Sequence, residues 1–167
     1  MKSIRSLFPL HLTVLSPLIL LVACSGGESR STTMADKDTP VSTITITGND
    51  RMRFEPKAFT VKAGSEITLT FENIGRMPKA TMGHNLAIIE PGVSVQAFAD
   101  AAMGHPATAY IAPQYAHQVI AATAVLGPGE SETLVFTAPA EPGDYPFVCS
   151  FPGHTPVGMV GLMTVVE

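Results

Sequence analysis

Alternating apolar and polar residues begin at Ser42 and predict a chain built from short β-strands. In Ser42–Thr47 isoleucine alternates with threonine, the period of two expected for a strand with one buried face. Glu66–Glu72 shows the same pattern, with its three large apolar residues on one face. Five further segments read as strands: Ala58–Lys62, Asn85–Ile89, Thr133–Thr137, Tyr145–Cys149 and Met159–Val166.

Turns rich in Gly, Pro and Asn separate these segments. About seven short strands with turns between them predict an antiparallel β-sandwich with Greek-key connections. Helical spacing is seen only in Ser94–Met103, where Val95, Phe98 and Ala102 recur at the period of a helix. Residues 104–116 follow neither period and are expected to form a long irregular loop. The predicted fold class is therefore an all-β sandwich with one short helical flap.

The first 23 residues are typical of an export signal. Lys2 and Arg5 precede an apolar run from Leu7 to Ala23, which His11, a serine and two prolines interrupt. Such an interrupted run is a poor permanent membrane span.

The apolar run ends in Leu21-Val22-Ala23-Cys24, which resembles the lipobox of bacterial lipoproteins. That resemblance implies that Cys24 becomes the lipidated first residue of a mature, membrane-anchored lipoprotein facing the periplasm. An ordinary secretory signal with an incidental cysteine, or a short anchor helix, is the alternative. The polar segment that follows is too poor in apolar residues to fold. We therefore predict a signal peptide over residues 1–23, a flexible tether over residues 24–40 and a folded domain over residues 41–167.

Composition excludes one class of partner and draws attention to one cysteine. Charged residues make up 14% of the chain and the net charge is −4, so no basic stripe is available to bind nucleic acid. The chain has two cysteines, and lipidation of Cys24 would leave Cys149 alone. An unpaired thiol in an exported protein indicates a reactive group or a metal ligand, with a buried inert cysteine as the alternative.

The residues around Cys149 favour a metal site. Cys149, His154 and Met159 lie within eleven residues, on a loop between two predicted strands. Thiolate, imidazole and thioether together suit copper, and two imidazoles, one thiolate and a distant methionine make a blue-copper electron-transfer site. His84 offers the second imidazole, at the start of another predicted strand. Such a site leaves no open position for a substrate, so an enzyme is not expected.

The segments Met82–Asn85 and Cys149–His154 resemble those of azurins, in the cupredoxin or type 1 copper family, and the likeness covers most of residues 42–167. The resemblance implies an eight-stranded Greek-key sandwich that holds one copper ion at one end. The same resemblance implies the following ligands: His84, Cys149 and His154 in the equatorial plane, Met159 as the axial ligand and the Gly83 carbonyl as a possible weak contact.

The resemblance also assigns roles to residues around the ligands. Asn85 is expected to tie the two ligand loops together, and the backbone N–H of Phe151 is expected to donate to the thiolate. Electrons would pass through the exposed edge of His154. An apolar patch with little charge is expected around it, formed by Phe151, Pro152, Pro156 and Val157.

Two features depart from azurins. Four residues separate His154 from Met159, where azurins have three, a spacing more like that of plastocyanin or auracyanin. The azurin disulfide has no counterpart, since the predicted mature domain has no second cysteine to pair with Cys149. The spacing leaves Met159 as the expected axial ligand and puts coordination by Gly83 in doubt.

The sequence therefore predicts a carrier of single electrons at the membrane of the bacterial cell envelope. Its expected partners are redox proteins such as c-type cytochromes, a terminal oxidase or a photosynthetic reaction centre. A copper oxidase or nitrite reductase fragment is less favoured, since Cys149 lacks the flanking histidines of multicopper oxidases. A copper storage or delivery protein is the remaining alternative, although the eight methionines are scattered rather than clustered.

Overall fold

Two β-sheets form the body of the computed structural model, which describes residues 39–167. The predicted signal peptide, Cys24 and most of the predicted tether lie outside the described residues. Within residues 39–167, no helix has the length and apolar character needed to span a bilayer.

The described chain contains nine strands and two short α-helices. The strands are β1 (Thr43–Asn49), β2 (Arg53–Glu55), β3 (Ala58–Lys62), β4 (Glu66–Asn73), β5 (Ala87–Ile89), β6 (Val119–Ala122), β7 (Ser131–Thr137), β8 (Gly143–Val148) and β9 (Val160–Val166). The helices are α1 (Lys79–Met82) and α2 (Val95–Ala102), and two 3₁₀ turns lie between α2 and β6, Pro106–Thr108 and Pro113–Gln118. One sheet has the order β2-β1-β4-β7 and the other the order β3-β9-β8-β5-β6.

This architecture confirms the predicted β-sandwich, with two corrections. The sheets are mixed rather than antiparallel, because β1 pairs with β4 and β3 pairs with β9 in parallel. Alternation of apolar residues specifies which face of a strand is buried, but not the direction of the neighbouring strand. The number of strands is nine rather than eight: β2 is too short to show a period, and β6 is apolar throughout.

The predicted flap is present as α2, and Ser94 caps it by accepting a hydrogen bond from the backbone N–H of Ala97 at 3.2 Å. Its buried residues are Phe98 and Ala102, and Phe98 packs in a small apolar cluster with residues of β5 and β8. Residues 104–116 are not wholly irregular, since both 3₁₀ turns begin there, each at a proline. Turns this short leave no amphipathic period in the sequence.

The main core lies between the two sheets and anchors the strand that leads to Cys149. Phe147, on β8, is fully buried and packs edge-on against Phe54 with ring centroids 5.1 Å apart. Directly opposite it on β9 is Gly161, whose missing side chain leaves room for the phenylalanine ring. A Cβ atom on Gly161 would overlap that ring and lie 2.7 Å from the carbonyl oxygen of Lys57.

We expect Gly161→Ala to lower the free energy of unfolding by about 1–3 kcal/mol, the usual cost of overpacking a core. The matched control is Gly143→Ala on the partner strand, where an added Cβ would meet nothing closer than 3.8 Å. That control should stay within about 0.5 kcal/mol of the parent protein. Urea unfolding of the three proteins measures the difference, and equal midpoints for both variants would contradict this account of the core.

Candidate metal centre

His84 precedes β5 and Cys149 follows its neighbour β8, and the backbone fixes both residues. His84 lies between α1 and β5, where its N–H donates to the Leu126 carbonyl at 3.0 Å and its carbonyl accepts from the Leu126 N–H at 2.7 Å. Cys149 directly follows β8, which pairs with β5. This pairing of strands brings together two side chains that are far apart in the sequence.

The loop after Cys149 returns to β9 through two backbone hydrogen bonds. The N–H of Met159 donates to the His154 carbonyl at 3.0 Å, and the N–H of Cys149 donates to the Met159 carbonyl at 3.1 Å. The hydroxyl of Thr155 donates to the Cys149 carbonyl at 2.7 Å. The loop is therefore closed by its own polar groups, and Met159 is fully buried at its end.

Three potential ligand atoms converge in the interior. His84 Nδ1 lies 3.1 Å from His154 Nδ1, and the Cys149 Sγ lies 3.4 Å from His154 Nδ1 and 4.0 Å from His84 Nδ1. The circle through these three atoms has a radius of about 2.1 Å, close to the ~2.0–2.3 Å at which nitrogen and sulfur bind zinc. The spacing therefore fits one first-row metal ion. Within residues 39–167, no other group of three His, Cys, Asp or Glu residues is arranged in this way.

Burial keeps these three groups uncharged. The pKa of the Cys149 thiol is raised to about 12 by burial, although the backbones of Asn85 and Phe151 oppose this by hydrogen bonding. The pKa of His154 is lowered to about 4 by burial and by the neighbouring His84. Burial also lowers the pKa of His84. At neutral pH, the metal-free centre therefore holds one thiol and two neutral imidazoles.

One polar atom of this centre has no partner. His84 Nε2 is buried and makes no hydrogen bond of good geometry within the described part of the chain. The backbone of Asn49 still acts on the ring, since it raises the pKa of His84 against the larger effect of burial. A metal ion on Nδ1 would hold the proton of the ring on Nε2, so the residues present fit the copper that the sequence predicted.

A buried hydrogen-bond bridge joins the two ligand segments. The Asn85 side chain donates to the Ser150 hydroxyl at 2.8 Å and to the Ala109 carbonyl at 2.9 Å, and it accepts from the Ser150 N–H at 2.8 Å. Ser150 and Thr155 were not singled out from the sequence, because the partner of Ser150, Asn85, is far away in the chain and the partner of Thr155 is a backbone carbonyl. Their only signal there is that both are polar residues beside predicted ligands.

Gly83 is required by the space around it. A Cβ atom at this position would lie 2.6 Å from Val125 Cγ1 and 2.7 Å from the Lys79 carbonyl oxygen. This crowding explains the glycine without assigning it a place in the metal coordination. His105 and His117 do not belong to the converging group.

The ring of His154 is largely covered. Its centroid lies 4.7 Å from that of Phe151, which in turn packs against Tyr110. Only 3% of the His154 surface is exposed, less than the exposed edge expected from the sequence.

Comparison with known proteins places the chain among copper proteins. Residues 40–166 match the family model described as copper binding proteins, plastocyanin/azurin family. The chain is 40% identical over 125 residues to outer membrane protein H.8 of Neisseria gonorrhoeae, covering 74% of this chain and 67% of that protein. It is 35% identical over 114 residues to azurin of Alcaligenes faecalis, covering 66% of this chain and 88% of the azurin. The crystal structure of reduced auracyanin from Roseiflexus castenholzii superposes with a TM-score of 0.69 at 37% identity, covering 77% of this chain and all of that one.

Because only the thiol carries a proton that a metal must displace, binding of one Zn²⁺ at pH 7 should release about one proton. Zn²⁺ is a suitable probe, since it takes the same types of ligand and has no redox chemistry. Calorimetric titration in buffers of different ionisation enthalpy measures the number released. Release of two or more protons would show that the histidines are charged in the metal-free protein. The Cys149→Ser variant should release none.

Proposed function

The chain belongs to the plastocyanin/azurin family of copper-binding proteins, and we propose that it carries electrons with one type 1 copper ion held by His84, Cys149 and His154. Met159 is proposed as the axial ligand. The observation that carries this proposal is the buried triangle of two imidazole nitrogens and one thiol sulfur. Azurin-like members of the family are electron carriers rather than enzymes, in agreement with the prediction from the sequence.

The bound copper would alternate between Cu(II) and Cu(I), and the protein's task is to keep the ligands still while it does so. The Asn85–Ser150 bridge and the closed loop hold the ligand segments in place, which favours a small reorganisation on electron transfer. Hydrogen bonds from the backbones of Asn85 and Phe151 to the sulfur stabilise negative charge on it. Such bonds weaken electron donation from the thiolate and tune the reduction potential.

The proposed location is the bacterial cell envelope, with the domain facing the periplasm. Support comes from relatives in Neisseria whose names describe them as outer membrane proteins, and from the lipobox-like segment that ends at Cys24. A lipid on Cys24 and the polar tether would keep the domain near membrane-bound redox proteins and raise its effective concentration there. Proposed partners are c-type cytochromes, a terminal oxidase or a photosynthetic reaction centre.

The copper-loaded protein should show an intense thiolate-to-copper absorption at about 600 nm, which ascorbate bleaches and an oxidant restores. The Cys149→Ser variant should lose this band while its circular dichroism remains that of a β-sandwich. Met163→Leu, an equally buried change on the following strand, is the control and should keep the band. A blue Cys149→Ser variant would overturn the ligand assignment. A colourless protein that binds only Cu(I) would overturn the carrier proposal and support copper storage or delivery.

Lipidation is tested separately from copper chemistry. In cells supplied with radiolabelled fatty acid, the parent protein should incorporate label and fractionate with membranes. Cys24→Ala should lose the label and still yield a blue copper domain, because the fold begins after the tether. Label that persists in Cys24→Ala would show that the proposed anchor is wrong.

A further inference from the structure

Three exposed arginines without ion pairs stand out in an acidic domain. Residues 39–167 contain eleven acidic and six basic side chains, so this part of the chain carries a net negative charge. Lys79 pairs with Glu130 at 2.9 Å, and within the described chain this is the only salt bridge. Arg51, Arg53 and Arg76 are exposed and remain unpaired there.

Arg53 lies against the metal loop. From β2, its Nη1 atom donates to the carbonyl oxygens of Val157 at 3.0 Å and Gly158 at 3.2 Å. These two residues lie between His154 and Met159, so the guanidinium charge rests directly on the proposed ligand loop.

Arg51 and Arg76 lie on the same end of the domain. Arg51 belongs to the turn between β1 and β2, and the backbone of Asn49, the last residue of β1, acts on the His84 ring. Arg51 and Arg76 line one surface depression together with Ile74. Arg53 therefore touches the proposed ligand loop, and Arg51 and Arg76 lie together beside the turn that follows β1.

The nearest acid does not neutralise these arginines by pairing with them. The Asp50 carboxylate instead accepts hydrogen bonds from the backbone N–H groups of Arg76 at 2.9 Å and Met77 at 3.3 Å. Asp50 thus fixes the loop that carries Arg76, while the side chain of Arg76 makes no ion pair in the described chain.

Exposed apolar side chains lie in the same segments as the arginines. Five large apolar residues are exposed in the described chain, and three of them lie near the arginines. Ile74 (56% exposed) and Met77 (43%) are close to Arg76 in the sequence, and Val157 (49%) accepts a hydrogen bond from Arg53. An apolar centre with a charged rim is the arrangement of protein–protein interfaces. Of the apolar patch that the sequence predicted to carry little charge, Val157 accepts a hydrogen bond from Arg53 through its carbonyl.

We propose that this arginine-rimmed surface docks a redox protein that presents carboxylates around its own redox centre. The inference rests on the proposed electron-transfer function and specifies the partner's chemistry. An acidic partner would be repelled by much of this acidic domain and attracted most strongly at the end where the three unpaired arginines lie. The charge distribution therefore orients the encounter so that the metal centre faces the partner.

Reduction of the Cu(II) protein by ferrous cytochrome b5, a small acidic haem protein, tests this proposal in stopped flow. Ionic strength is varied from about 0.01 M to about 1 M, which shortens the Debye length from ~30 Å to ~3 Å. The rate constant should fall as salt rises. The Arg51→Gln/Arg76→Gln variant should react about 10-fold more slowly at low salt and match the parent at high salt. This variant spares Arg53, so the metal loop keeps its support.

Lys62→Gln is the control for position, since it removes an exposed positive charge far from the metal. Lys62 pairs with Val166, the last residue of β9. Met159 directly precedes the other end of that strand, about 23 Å from Val166. The rate constant of the Lys62→Gln variant should equal that of the parent. All variants should keep the absorption spectrum of the parent.

A double arginine variant that reacts as fast as the parent at low salt would overturn the docking proposal. So would a rate constant with basic cytochrome c that falls more steeply with rising salt than the rate constant with cytochrome b5. In both cases electron transfer would still occur, and the proposed function would stand. A protein that no donor reduces at any ionic strength would overturn the proposed function itself.

Discussion

The buried bridge between Asn85 and Ser150 is the interaction on which the metal centre depends. One proposed ligand lies before β5 and the others follow β8, so their distance depends on how firmly these strand ends are joined. The Asn85 amide both donates to and accepts from Ser150, and both residues are buried. A ligand set assembled in this way does not need the metal to hold it together.

The same constraint explains why the metal-free centre is neutral. Burial makes it costly to charge two imidazoles and a thiol that lie against each other, so each pKa shifts toward the uncharged form. The free energy of desolvating these three side chains is lost when the chain folds rather than when the metal binds. Binding then requires deprotonation of Cys149 but little movement of the backbone.

Some features could be read from the sequence and others could not. The alternation in Ser42–Thr47 and Glu66–Glu72 identified β1 and β4, because each buries one face, and ligand chemistry identified His84, Cys149 and His154. The parallel pairing of β1 with β4 left no trace, since either direction buries the same residues. Arg53 and Thr155 were missed for a related reason: both support the loop through backbone carbonyls, which every residue possesses.

The burial of Cys149 has a chemical consequence before any metal arrives. Thiol oxidation and disulfide exchange proceed through the thiolate, and a sulfur atom that is fully enclosed with a pKa of about 12 offers almost none at neutral pH. In an oxidising compartment, an unpaired cysteine on the surface would be lost to mixed disulfides or sulfenic acid. The folded but unloaded domain protects its own sulfur ligand, so the time between folding and metal capture need not be short.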